Sequence, residues 1–122
     1  MDKKNFLKTY FQNFENLLKF SDHDLKNLIL VSELMREANK KKKKTLIFGN
    51  GGSAAIASHF SVDVTKNAGV RCMNFNESDL ITCFSNDFGY EKWVEKSIEF
   101  YSDPDDILIL ISASGSSRNM LN

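Results

Sequence analysis

Thr45-Leu46-Ile47-Phe48-Gly49-Asn50-Gly51-Gly52-Ser53 is a short apolar run that breaks into glycines just where a helical pattern begins. Thr45 to Phe48 has no polar alternation, as expected for a strand buried on both faces of a parallel sheet. The glycines let the backbone come close to a ligand, and the free N–H groups at the start of the next helix would point at it. An anion is the natural occupant.

Working downstream, residues 53 to 67 read as a helix, Val70 to Phe75 as a second strand, and 79 to 86 as a short helix or turn. Tyr90 to Tyr101 reads as a helix with Trp93, Val94, Ile98 and Tyr101 on its apolar side. Asp103-Pro104-Asp105-Asp106 is a turn, and Ile107 to Ile111 is the most apolar strand. Strands alternating with helices imply an α/β layered fold with a parallel sheet and right-handed crossovers. Three strands are few for an open sheet of this kind, so the sheet is expected to be incomplete and the chain to be the N-terminal part of a larger domain.

Upstream, Phe6, Leu7, Tyr10, Phe11, Phe14, Leu17 and Leu18 recur every three or four residues, forming one apolar stripe on a helix over residues 4 to 20. Ser21 or Asp22 caps a second helix with Asp24 in its first turn, where the helix dipole favours an acid. Leu25, Leu28, Ile29, Ser32 and Met35 would be its buried face, and His23 an exposed residue of its first turn. The five lysines from Lys40 to Lys44 would read as a nucleic-acid patch only in a basic protein. Sixteen basic and sixteen acidic residues cancel here, so the run is better a solvated helix end whose cations suit the dipole. With no overall field to attract an anionic partner, neither nucleic acid nor a membrane surface is indicated, and a phosphate must be held by a local site.

Of the 122 residues, 42% are hydrophobic and 26% charged, the balance of an ordinary globular protein. No apolar signal region follows Met1 and no apolar run reaches bilayer length, which predicts cytoplasmic residence. Cys72 and Cys83 lack a CxxC spacing and are expected to be buried small hydrophobes.

A second loop, Ser112-Ala113-Ser114-Gly115-Ser116-Ser117, follows the Ile107 to Ile111 strand. Four hydroxyls at the carboxyl end of a strand make a neutral phosphate cradle, or alternatively only a Ser-rich helix cap. Two such loops at one sheet edge, where ligands of α/β folds collect, favour the phosphate. A Walker loop is excluded, because Ala54 follows Ser53 where a lysine is required. Gly49-x-Gly51-x-x-Ala54 loosely matches a dinucleotide fingerprint, but Phe75 and Asn76 stand where a ribose-binding acid belongs. No nucleotide cofactor is therefore expected, and a phosphorylated sugar is the preferred ligand. His59 and Asp63, four residues apart, share a helix face and could ligate a metal or share acid–base work, or form an ordinary solvated pair.

Gly49 to Ser53, His59-Phe60 with Asp63, Asn86-Asp87-Phe88-Gly89, and Ser112-x-Ser114-Gly115-x-Ser117 resemble, in order and spacing, the sugar isomerase (SIS) family, most closely its phosphoheptose isomerases. The resemblance covers essentially the whole chain. It implies a three-layer α/β sandwich of SIS type, flavodoxin-like, with a parallel sheet and two N-terminal helices. Residues 1–44 would be a helical hairpin used for oligomerisation, and 45–122 the N-terminal part of a SIS domain. The implied reaction is aldose–ketose isomerisation of sedoheptulose 7-phosphate to D-glycero-D-manno-heptose 7-phosphate through an enediolate, toward the heptose of bacterial lipopolysaccharide or capsule. By the same resemblance Asn50, Gly51, Gly52, Ser53 and Asp87 would contact the sugar, and Ser112, Ser114 and Ser117 its phosphate. Asp63 would be the catalytic carboxylate, one methylene shorter than the family's glutamate, and His59 with Asp63 could hold the zinc ion found in some members. The family's catalytic histidine and a nearby glutamine fall beyond Asn122, so these 122 residues alone are expected to have little or no isomerase activity. A homotetramer is the assembly implied, with a non-catalytic sugar-phosphate-binding module as the alternative function.

Overall fold

The computed structural model describes residues 2–122, which divide into two compact units, residues 2–33 and 34–122. In the first unit, α1 (Lys3–Leu17) starts at Asp2, whose side chain accepts a hydrogen bond from the Lys4 N–H at 3.1 Å. Helix α2 (Asp22–Lys40) begins in the first unit and ends in the second. Its start is a reciprocal capping box. The Ser21 hydroxyl accepts from the Asp24 N–H at 3.2 Å, and the Asp24 carboxylate accepts from the Ser21 N–H at 3.0 Å and hydroxyl at 2.6 Å. The hydroxyl bond first, and the N–H bond after it, hold the Asp24 carboxyl below its ordinary range.

The buried face expected for α2 is corrected by the structure. Leu25, Leu28 and Ile29 are about half exposed, as is the α1 stripe of Phe6, Leu7, Tyr10, Phe11 and Phe14. Of the predicted face only Met35 is buried. The apolar periodicity is real, but these side chains stay about half exposed. Along α1 the rings satisfy one another locally, Phe6 stacking on Tyr10 and Tyr10 meeting Phe11 edge-on.

The second unit is an α/β sandwich. Strands β1 (Thr45–Gly49), β2 (Cys72–Asn74) and β3 (Ile107–Ile111) form a parallel sheet in the order β2-β1-β3. Thr45 pairs with Cys72 on one side and Ile107 on the other, and Gly49 pairs with Ile111. The central strand is buried along its full length, as its unbroken apolar run requires. The second strand is shorter than the expected Val70 to Phe75. Being a one-sided strand, it pairs only at Cys72, Met73 and Asn74.

Side chains of β1 alternate between two cores. On one face Leu46 and Phe48 meet Phe75, Trp93, Val94 and Met120. Phe75 follows β2, Trp93 and Val94 come from α5 (Trp93–Tyr101) and Met120 from α6 (Arg118–Leu121), while Leu80, Ile81 and Phe84 of α4 (Ser78–Phe88) pack at the margin. Phe48 stacks on Phe75 at 4.9 Å and receives the Trp93 ring edge at 5.8 Å. On the other face Ile47 meets Ala57 of α3 (Gly52–Ala68), with Cys72, Val64, Ile109 and Ile111. Helices on both faces of the sheet make three layers.

A polar pin fixes the register of β3. The Lys44 ammonium contacts Asp106 at 2.6 Å and Asp103 at 2.7 Å, while the Lys44 N–H donates to Asp106 at 2.9 Å. Cys72 is buried as expected, and burial pushes its thiol up to about 11. Cys83 is not: it lies on the exposed side of α4, 3.7 Å from Asp87. No helix among the described residues is long and apolar enough to cross a membrane.

Candidate functional site

Both loops singled out in the sequence emerge from the carboxyl ends of adjacent strands, the first from β1 and the second from β3. This is where open parallel sheets bind ligands. In the first loop, Gly51 takes φ +54° with open space around it, and α3 starts at Gly52 without a side-chain cap. The amides of its first turn are met by the loop's own backbone, Ser53 N–H donating to the Asn50 carbonyl at 2.9 Å and Ala55 N–H to that of Gly51 at 3.2 Å, so what the loop offers a ligand is an open turn with no side chain over it. Gly49 serves a different purpose. A Cβ there would lie 2.4 Å from the Ser53 carbonyl carbon, so only glycine lets the strand end pass beneath the start of α3.

In the second loop, four hydroxyls converge. Ser112 Oγ lies 3.0 Å from Ser117 Oγ and 3.5 Å from Ser114 Oγ, and Ser116 Oγ donates to Ser114 Oγ at 3.1 Å. Gly115, at φ +64°, turns the chain so that the serines on either side face one another. Hydroxyls rotate freely, so a group that bonds within the cluster can turn its proton to a phosphate oxygen. No lysine or arginine lies within either loop. The nearest cation in sequence, Arg118, is paired with Glu91 at 2.9 Å.

The two loops are joined by side chains. Asn50 and Asn119 exchange two hydrogen bonds of 2.9 Å, and the Tyr90 hydroxyl donates to Asn50 Oδ1 at 3.1 Å. Neither Asn119 nor Tyr90 is marked by the sequence patterns. Their only signal is position, Tyr90 directly after Asn86-Asp87-Phe88-Gly89 and Asn119 two residues after the last serine. That four-residue motif works chiefly as a helix end. Phe88 packs on Phe84 and Phe100, and Gly89 at φ +92° ends α4 and brings Tyr90 round to Asn50.

The remaining predicted residues find their side-chain partners within their own helices. Asp87 accepts from Asn86 at 2.9 Å and lies near the Cys83 thiol, both partners in its own helix. His59 Nε2 and Asp63 Oδ2 are 3.3 Å apart on the outer side of α3, 82% and 51% exposed. Along the helix axis they lie about 10 and 16 Å from its first residue. Among the described residues no third His, Cys, Asp or Glu joins them to form a metal-binding group. Zinc sites draw about three or four ligands from the protein, so this pair alone does not fit one, and no step is derived through a metal. Asn76, where a dinucleotide fold would place its ribose acid, instead donates to the Ala54 carbonyl at 2.8 Å and to Ser58 Oγ at 2.7 Å, tying the end of β2 to α3.

A parallel sheet with glycine- and serine-rich loops at its carboxyl edge is the architecture of SIS domains, and the SIS domain model matches residues 9–122. The chain belongs to the SIS domain family. Its relatives include the phosphoheptose isomerases of Helicobacter pylori strain P12, 32% identical over 97% of this chain and 59% of that protein, and of Fusobacterium nucleatum, 33% identical over 96% and 64%. Among solved structures, the phosphoheptose isomerase of Neisseria gonorrhoeae superposes with a TM-score of 0.80 at 26% identity, covering 97% of this chain and 65% of that one. That of Francisella tularensis shares the fold with a TM-score of 0.90 at 24% identity, over 99% and 66%. The chain spans about three-fifths of the length of the curated relatives it matches.

Proposed function

We propose that this chain forms the phosphate- and sugar-binding part of a phosphosugar aldose–ketose isomerase that converts sedoheptulose 7-phosphate to D-glycero-D-manno-heptose 7-phosphate. The observation that carries this reading is the convergence of Ser112, Ser114, Ser116 and Ser117 beside the open start of α3, at one sheet edge. Neutral hydroxyl donors fit a phosphate dianion while leaving the sugar end free for chemistry. In the reaction a base removes a C1 proton from the ketose, giving an enediolate. A proton returns to C2, and the O1 hydroxyl proton passes to O2, so no external oxidant or reductant is needed. Asp63 is the carboxylate assigned to proton transfer in this reading, and the assembly is a cytoplasmic homotetramer.

One observation favours a second reading, a non-catalytic sugar-phosphate-binding module: Asp63 pairs with His59 at an exposed position of α3, about 16 Å along the helix axis from its first residue. Incubation of this chain, and of a version extended to a full domain on which exchange is read, with sedoheptulose 7-phosphate in deuterated water separates the two. Aldose product carrying deuterium at C2 supports the isomerase. Binding by calorimetry with no exchange selects the module, and absence of binding rejects both.

A further inference from the structure

The contact between Asn50 and Asn119 does more than fill space. These residues are 69 positions apart, yet their amides lie in register, each Nδ2 donating to the other's Oδ1 at 2.9 Å. An amide oxygen has two lone pairs. Asn50 Oδ1 has both occupied, by Asn119 Nδ2 and by the Tyr90 hydroxyl at 3.1 Å. Only one N–H of the Asn50 side chain remains for any other partner. Asn119 is 4% exposed and out of a ligand's reach.

The serine loop needs such a tether. The helix that follows it has four residues, too few to hold itself by its own ladder. Its other anchors are Met120 in the core, Arg118 on the Glu91 carboxylate, and the Asn122 amide on the Glu91 carbonyl. The paired amides add a direct side-chain tie from the start of α6 to the first loop.

We propose that Asn119 and Tyr90 are positioning residues. They immobilise Asn50 and thereby set the spacing between the glycine loop and the serine cluster. Asn50 then serves a phosphosugar by keeping the two loops in register, not by an Oδ1 contact of its own. The inference rests on the phosphosugar reading above for its consequence in binding, and on the amide pair alone for its structural content.

The test uses Asn119→Leu and Tyr90→Phe in the full chain, titrated calorimetrically with inorganic phosphate and with sedoheptulose 7-phosphate. Inorganic phosphate needs the serine cluster only, so its affinity should stay within about twofold, whereas the sugar phosphate spans both loops and should weaken by about tenfold in Asn119→Leu. Tyr90→Phe, a change at an exposed hydroxyl that should not impair folding, should weaken the sugar phosphate by about threefold, the loss of one shared hydrogen bond. Equal loss of both ligands would mean a merely structural role and overturn the proposal. A double-mutant cycle between Asn50→Ala and Asn119→Ala provides a ligand-free check. The double variant should denature at the same urea midpoint as the worse single variant; additive shifts would overturn the amide pair. If the unsubstituted chain binds neither ligand, the phosphosugar reading fails, and the cycle still decides the clamp.

Discussion

Three glycines in the first loop should respond to alanine in three different ways. At Gly49 the new methyl would sit 2.4 Å from the Ser53 carbonyl carbon, 2.5 Å from its oxygen and 2.8 Å from the Ala54 nitrogen. All three are backbone atoms in the first turn of α3, so no side chain can swing aside; the strand end or the helix start must move about 1 Å to restore normal contact. Overpacking of a core costs about 1–3 kcal/mol, and a backbone clash belongs at the upper end. Gly51 has open space but sits at φ +54°, ψ −120°, outside the left-handed helical region, where alanine is strained by about 2 kcal/mol. Gly52 has open space and no positive φ, so alanine there should be neutral or stabilising by up to about 0.5 kcal/mol. Trp93, 1% exposed against Phe48, provides the fluorescence signal for urea unfolding. With a urea slope of about 1.5 kcal/mol per molar, Gly49→Ala should lower the midpoint by about 2 M, Gly51→Ala by about 1.3 M, and Gly52→Ala should not lower it. A Gly49→Ala midpoint within experimental error of the parent, or a Gly52→Ala protein as unstable as Gly49→Ala, would refute the close approach of β1 to α3.

Removing the Ser117 hydroxyl in Ser117→Ala should weaken phosphate binding about fivefold to tenfold with little change in the unfolding midpoint, as measured by calorimetry. At the Lys44–Asp106 pin, burial works to raise the Asp106 carboxyl, but hydrogen bonds from the Asp103 N–H, the Lys44 ammonium and the Lys44 N–H outweigh it and leave the group below its ordinary 3.8. Lys44 is raised above 10.5, first by its bond to Asp103 and then by that to Asp106. The aspartate's contribution is therefore present above pH 3.8 and lost as pH falls through its lowered value. That of the lysine is complete below pH 10.5 and lost as pH rises through its raised value. Asp106→Asn should cost about 3 kcal/mol at neutral pH and flatten the acid limb of stability measured by urea titration across pH. The two thiols should differ in alkylation at pH 8: Cys83, exposed but raised chiefly by the Asp87 charge, should react first, and Cys72 only on unfolding. Asp87→Asn should speed Cys83 about twofold to fivefold, read by mass spectrometry over time.

The parts of this molecule that were legible in the sequence are those whose cause is local. Thr45 to Phe48 reads as a buried strand because its apolar run has no polar alternation, and Gly49 is required where that strand passes beneath the start of α3. The serine cluster follows from four hydroxyls within six residues around one glycine. What failed to appear depends on partners. Apolar periodicity places Leu25, Leu28 and Ile29 on one side of α2 but does not state what covers that side, and here all three stay about half exposed. Cys83 lies in an apolar segment, yet its place on α4 turns it outward, next to Asp87. The same limit hid Asn119 and Tyr90. Each lies beside a motif but outside its pattern, and matters because β1, β3 and the end of α4 bring residues 50, 90 and 119 together. Asn50 shows the consequence for assigning function. Its place in a glycine loop suggests a ligand contact, but the valences of its amide are mostly spent on two distant residues, so a motif position can carry a structural duty that only the fold reveals.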